Sequence, residues 1–175
     1  MENKNVNLKN AKQDKLFYVV ANVWVYRPSD GRCLILKRSE REKVHPGKWC
    51  VPGGKLEWKN LDNAFTTGPD DNTPQVNDAI EELLIGEVRE EAGLEVAKPF
   101  HYLRSVAFVR PDGIPVVLLV FAVNYISGEV KLEQDAFTNY AWITIDEIKN
   151  YDCIPDLPQE MLKAVGALSK NKNSR

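Results

Sequence analysis

Strand-like segments in this sequence come in pairs joined by short turn signals, and helix-like segments interrupt the pairs one at a time. Leu16–Tyr26 (LFYVVANVWVY) is β-branched and aromatic and reads as a long, mostly buried strand. The turn-forming residues Pro28-Ser29-Asp30-Gly31 lead into a second strand at Arg32–Lys37, which predicts a hairpin. His101–Val109 and Val116–Ile126 flank a Pro111-Asp112-Gly113 turn, and Asn139–Ile143 adds a short third strand. Between the two sets lies a helix over Asp78–Ala92, with Asn77 or Asp78 as N-cap and Gly93 as its stop. Asp146–Tyr151 and Leu157–Leu168 read as closing helices. This order predicts a mixed α/β fold with a mixed, largely antiparallel sheet.

The chain has 175 residues, enough for one domain with a sizeable core. The division expected is a flexible polar arm over residues 1–14, one domain over 15–170 and a tail over 171–175. Residues 58–77, with Gly-Pro, Asp-Asp and Thr-Pro, read as a long loop inside that domain. The net charge of −2 comes with both signs spread along the chain, and no basic stripe tracks a phosphate backbone, so nucleic acid is not an expected partner. Cys33, Cys50 and Cys153 are widely spaced and odd in number, which argues against a disulfide scaffold or a zinc site and suits a reducing cytoplasm. The longest apolar run, Ile114–Val123, is broken by Pro115 and too short to span a bilayer. The expectation is a soluble cytoplasmic protein.

The segment Gly86-Glu87-Val88-Arg89-Glu90-Glu91-Ala92-Gly93-Leu94 carries the chemistry. Glu87, Glu90 and Glu91 stand at i, i+3 and i+4, so one helical face presents all three carboxylates while Ile85, Val88 and Ala92 face elsewhere. Like charges at this spacing repel by a few tenths of a kcal/mol per pair. A hard divalent cation reverses that penalty, because magnesium takes oxygen ligands and favours carboxylates together with phosphates. The competing reading is a solvated helix face.

Here the sequence resembles the Nudix hydrolase family, whose signature is G-x5-E-x7-R-E-U-x-E-E-x-G-U, with U a bulky aliphatic residue. Glu87, Val88, Glu90, Glu91, Gly93 and Leu94 match its second half in register. Pro52-Gly53-Gly54-Lys55-Leu56-Glu57 is similar to the family's PGG-x-x-E opening, with Gly54 as the first glycine of the signature. Leu34–Ser39, Gly47–Pro52, and Trp142-Ile143 followed by Asp146-Glu147-Ile148 resemble the flanking elements, so the likeness runs from about Phe17 to Leu168. Two departures stand out. Gly54 to Leu94 covers 41 positions where the signature has 23, which inserts 18 residues between its halves. The signature arginine is Gly86, and its middle glutamate has no clear counterpart: Asn60 holds that register from Gly54 and Asp78 holds it from Gly86.

The resemblance implies an α/β/α sandwich and hydrolysis of a pyrophosphate bond in a nucleoside diphosphate linked to another moiety, a nucleoside triphosphate or a sugar nucleotide. It implies magnesium as cofactor, with manganese as a substitute, and a small nucleotide as substrate. Homodimers are common in the family. Glu87 and Glu91 are the principal expected metal ligands, with Glu90 as a third ligand or helper and the Gly54 carbonyl as a further donor. Glu133 and Asp135, in the loop before Trp142, are candidates for a separate general base. Arg38 and Lys55 are candidates for holding phosphates. The absence of the arginine leaves open a Nudix-fold nucleotide sensor with weak catalysis. Isomerase chemistry on an allylic diphosphate has no support, because no cysteine stands in a suitable context.

Overall fold

The computed structural model describes residues 8–58, 66–67 and 74–169. In chain order these form β1 (Tyr18–Arg27), β2 (Arg32–Arg38), β3 (Trp49–Cys50), β4 (Gly53–Lys55), β5 (Thr66–Thr67), β6 (Pro74–Gln75), α1 (Ala79–Ala92), β7 (Glu95–Val109), β8 (Pro115–Ser127), β9 (Phe137–Ile143) and α2 (Leu157–Ser169). Both expected hairpins form. Gly31 and Gly113, at φ 73° and 84°, supply the left-handed backbone their turns require.

The main sheet runs in the order β3-β2-β1-β8-β7, with β4 joined to β1 and β9 to β2. β1 and β2 pair only next to their turn, through Tyr26 opposite Cys33 and Arg27 opposite Arg32. Beyond that the two strands diverge. β1 takes β4 as an antiparallel partner, Ala21 opposite Gly54, while β2 takes β3 and β9. At the centre β8 lies parallel to β1 from Tyr18 opposite Val116 to Tyr26 opposite Asn124. The sheet is therefore mixed, with every other pairing antiparallel.

Alternation along β1 and β2 decides the layers. Ala21, Val23, Val25, Leu34 and Leu36 pack with Leu84, Val88 and Ala92 of α1. Trp24, Tyr26, Cys33 and Ile35 point the other way, onto Leu157, Met161, Ala164 and Leu168 of α2. Strands that are apolar on both faces need cover on both, and the result is the α/β/α sandwich. Each fully buried aliphatic side chain in these layers contributes about 1.5–3 kcal/mol. In the α2 layer the indole N–H of Trp24 donates to Glu160 at 3.4 Å, and Arg104 lies 3.6 Å from the same carboxylate. That pairing satisfies the buried Glu160.

Four local expectations are revised. Asp78 does precede α1, but its backbone is left-handed (φ 54°) and its side chain makes no cap. Lys98 binds that carboxylate at 2.9 Å instead. Asp146–Tyr151 forms only a 3-10 turn at Ile148–Asn150, because the Trp49 N–H bonds Asp152 and the Ile154 N–H bonds Trp49, drawing the chain out straight. The strand expected from His101 begins at Glu95 and shifts register between Ala97 and His101. Within 58–77, expected as loop, Thr66–Thr67 and Pro74–Gln75 pair as a short antiparallel ladder. Residues 59–65 and 68–73, Asn60 among them, lie outside the described residues, as do most of the expected arm and tail.

Candidate active site

The carboxylates sit in the last two turns of α1. Gly93 ends this helix in the left-handed conformation (φ 68°), its N–H bonding Arg89 and that of Leu94 bonding Val88. The carbonyls of Glu91 and Ala92 would still lack partners. The loop after β8 supplies them: the Lys131 N–H donates to Ala92 at 2.9 Å and the Glu133 N–H to Glu91 at 3.1 Å. The segment that closes the helix thus carries Glu133 to the carboxylate cluster.

Across from α1 stands the diglycine strand β4. The Gly53 N–H donates to the Glu91 carboxylate at 3.0 Å. A Cβ on Gly54 would lie 2.0 Å from a carboxylate oxygen of Glu87, so a larger residue here would displace that carboxylate. Glu87 and Glu91 are braced against the β4 backbone, and Glu90 is exposed.

Burial pushes the Glu91 carboxyl up to about 8, and the charges of Glu87 and Glu133 act in the same direction. The Gly53 N–H and the charge of Arg38 oppose that rise. Glu87 is raised by burial and by the charges of Glu90, Glu133 and Glu57. Five acidic groups, Glu57, Glu87, Glu90, Glu91 and Glu133, therefore bear on one region, and none neutralises another. Among the described residues no three His, Cys, Asp or Glu side chains converge on one point as they stand. Glu91 turns to Gly53, Glu87 lies along Gly54 and Glu90 faces solvent. The donor set still suits a hard divalent cation: it is all oxygen, rich in negative charge and next to an unobstructed backbone.

The remaining sequence candidates separate. Glu133 is exposed, but its charge is felt at Glu87 and Glu91, whereas Asp135, also exposed, forms an ion pair with Arg41 at 3.1 Å. Arg38 lies near Glu91, but its guanidinium also holds the carbonyl of Val44 and the Glu42 carboxylate. Lys55 is exposed on β4 beside an apolar groove. At Gly86 a built Cβ meets no atom within 4 Å. Among the described residues, then, the first carbon of a side chain at Gly86 would meet no neighbour outside its own helix, and Asp78 is spent on Lys98. Glu57 and the Gly53 N–H were not singled out as site groups from the sequence, although both lie in the Pro52–Glu57 motif.

Comparison with known proteins agrees with this geometry. The NUDIX domain profile matches residues 16–164. The nucleoside triphosphatase NudI of Escherichia coli K12 is 27% identical over 133 residues, covering 71% of this chain and 81% of that protein. In structure, a MutT protein from Methanosarcina mazei superposes with a TM-score of 0.57 at 22% identity, covering 94% of this chain and 100% of that one. The NUDIX domain of Shewanella oneidensis NrtR, solved with ADP ribose, superposes with a TM-score of 0.67 at 14% identity over 94% of each chain.

Proposed function

Because the chain belongs to the NUDIX family, we propose that this hydrolase uses magnesium, held by Glu87 and Glu91, to cleave the diphosphate linkage of a small nucleotide. A relative is a nucleoside triphosphatase and a domain of like fold was solved with ADP ribose, which supports a nucleoside triphosphate as the first candidate substrate and a sugar nucleotide as the second. The observation behind this assignment is the bracing of two carboxylates of α1 against the Gly53-Gly54 backbone, with Glu133 delivered beside them.

Each group has a role in that reading. Glu87 and Glu91 hold the cation, Glu90 assists from the solvent side, and the Gly54 carbonyl is available as a further donor. When bound there, a divalent cation would supply positive charge against the phosphate oxygens. Glu91, with its carboxyl near 8, gives up its proton when it binds the cation. Glu133 accepts a proton from the attacking water, and Lys55 meets phosphate on the outer side. Arg38 holds the loop over residues 39–44 against the site.

A weakly catalytic nucleotide sensor is the second reading, and it rests on the open space at Gly86. Turnover of nucleoside triphosphates and ADP ribose with magnesium, and again in excess chelator, separates the two. Removing a general base costs about 100- to 10,000-fold. Glu133→Gln is expected to slow the enzyme within that range, and Asp135→Asn by less than twofold. Turnover that survives chelation removes the metal assignment. An unimpaired Glu133→Gln protein removes Glu133 from the chemistry.

A further inference from the structure

A groove of about 880 Å³ opens at the lower end of β1, beside the start of β8 and the exit of β4. Its walls include Leu16, Phe17, Tyr18, Leu56, Trp58 and Ile114, with Lys55 and Glu57 at the side nearest the carboxylates. Three aromatic side chains are about half exposed: Phe17 at 46%, Tyr18 at 48% and Trp58 at 56%. Exposed aromatics gathered in one concavity mark a binding surface, and this volume is that of a small-molecule site.

β4 connects the groove to the carboxylates. Gly54 touches Glu87, Lys55 follows, and the Leu56 N–H bonds Val19 at 2.9 Å, so the pairing with β1 continues past the strand. At about 3.3 Å per extended residue, Trp58 is within roughly 13 Å of Gly54. A nucleoside carrying two phosphates spans such a distance. The charge of Glu57, one residue before Trp58, is felt at Glu87. Lys55 places a cation between the rings and the acidic cluster, where an anionic linker between a ring and a metal-bound phosphate would pass.

We propose that this groove binds the nucleobase of the substrate, stacked against Trp58 and Phe17, while Lys55 meets the phosphates on their way to Glu87 and Glu91. The inference rests on the hydrolase reading for its substrate class. Three rings and several aliphatic side chains line the groove beside the polar Gln13, Lys55 and Glu57, so stacking is the main contact open to a base and tolerates different bases.

The test compares ATP, as substrate, with inorganic tripolyphosphate, which has no ring, as competitive inhibitor. Stacking of one base on an aromatic side chain is worth about five- to 100-fold. Trp58→Ala and Phe17→Ala are each expected to raise the KM for ATP about tenfold and to leave the inhibition constant of tripolyphosphate unchanged. Trp58→Phe, which keeps a ring, is expected to restore most of the affinity. A nucleotide-dependent fluorescence change lost in Trp58→Phe would support the groove even in a protein that does not turn over, and in that event only the hydrolase reading fails. Normal hydrolysis with an unchanged KM in both alanine variants overturns the proposal. So does an equal loss of ATP and tripolyphosphate affinity, which would locate the effect at the phosphates. A wild-type dimer that Trp58→Ala converts to monomer with unchanged KM overturns it too, by assigning the apolar end to a second copy.

Discussion

Replacing Glu91 by glutamine is expected to stabilise the metal-free protein while disabling it. In the folded chain the Glu91 carboxyl is pushed from its ordinary 4.5 to about 8, with burial as the main cause. Between those two values the unfolded chain has released a proton that the folded chain retains, so stability falls as pH rises from about 4.5 to about 8. At about 1.4 kcal/mol per tenfold, the full displacement amounts to about 5 kcal/mol above pH 8. Glutamine keeps an oxygen for the Gly53 N–H but brings an amide group that needs its own partner, at a cost of about 1–3 kcal/mol. A net gain of about 2–4 kcal/mol remains, which for a domain of this size raises Tm by about 4–16 °C. The assay is thermal unfolding of both proteins from pH 5 to pH 8.5 in chelator. At pH 5 the variant's Tm should equal the wild type's or lie a few degrees below it, and it should rise past it towards pH 8.5. Adding magnesium should raise the wild-type Tm and leave the variant largely unmoved, and hydrolysis by the variant should fall by about two to three orders of magnitude. A Tm difference independent of pH, or a wild type that is the more stable protein at pH 8.5 in chelator, would refute the reasoning.

Gly54→Ala is expected to fold and to lose most of its activity, because the new methyl group occupies the place of the Glu87 carboxylate. Magnesium titration calorimetry and a rate within twofold of wild type would together contradict this. At Gly86 the surroundings are open, so Gly86→Ala is expected to stabilise α1 by about 1 kcal/mol, read by urea unfolding. Outside the helix's own backbone, no atom of the described residues lies within 4 Å of that Cβ to block the start of a longer side chain. Gly86→Arg is therefore expected to fold as well as Gly86→Ala, and a Tm well below that of the alanine variant would show that the side chain collides with the segment inserted ahead of the helix.

Much of this protein is legible in its sequence because much of it is local. Helical periodicity alone puts Glu87, Glu90 and Glu91 on one face, and Gly93 ends their helix through a backbone angle that glycine adopts freely. The two hairpins follow from turn residues between β-branched runs. The motifs at Pro52–Glu57 and Glu87–Leu94 point to the family across the inserted residues, since each half of the signature keeps its own register. Failures at this level were local competitions settled from a distance: Asp78 abandons its helix for Lys98, and Asp146–Tyr151 is pulled straight by Trp49. Periodicity makes Glu87, Glu90 and Glu91 equivalent, and the fold then makes them unequal. Gly53 and the surrounding core bury Glu91, Gly54 flanks Glu87, and Glu90 is left in water. Glu133 and Asp135 are likewise indistinguishable as residues two apart in one loop; both are exposed, but the Glu133 backbone caps the Glu91 carbonyl beside the carboxylates while Asp135 pairs with Arg41. Burial and proximity are properties of pairs far apart in the chain, here Gly53 with Glu91 and Glu133 with Glu87, and only the packing of β4 and the 128–136 loop against α1 brings those pairs together.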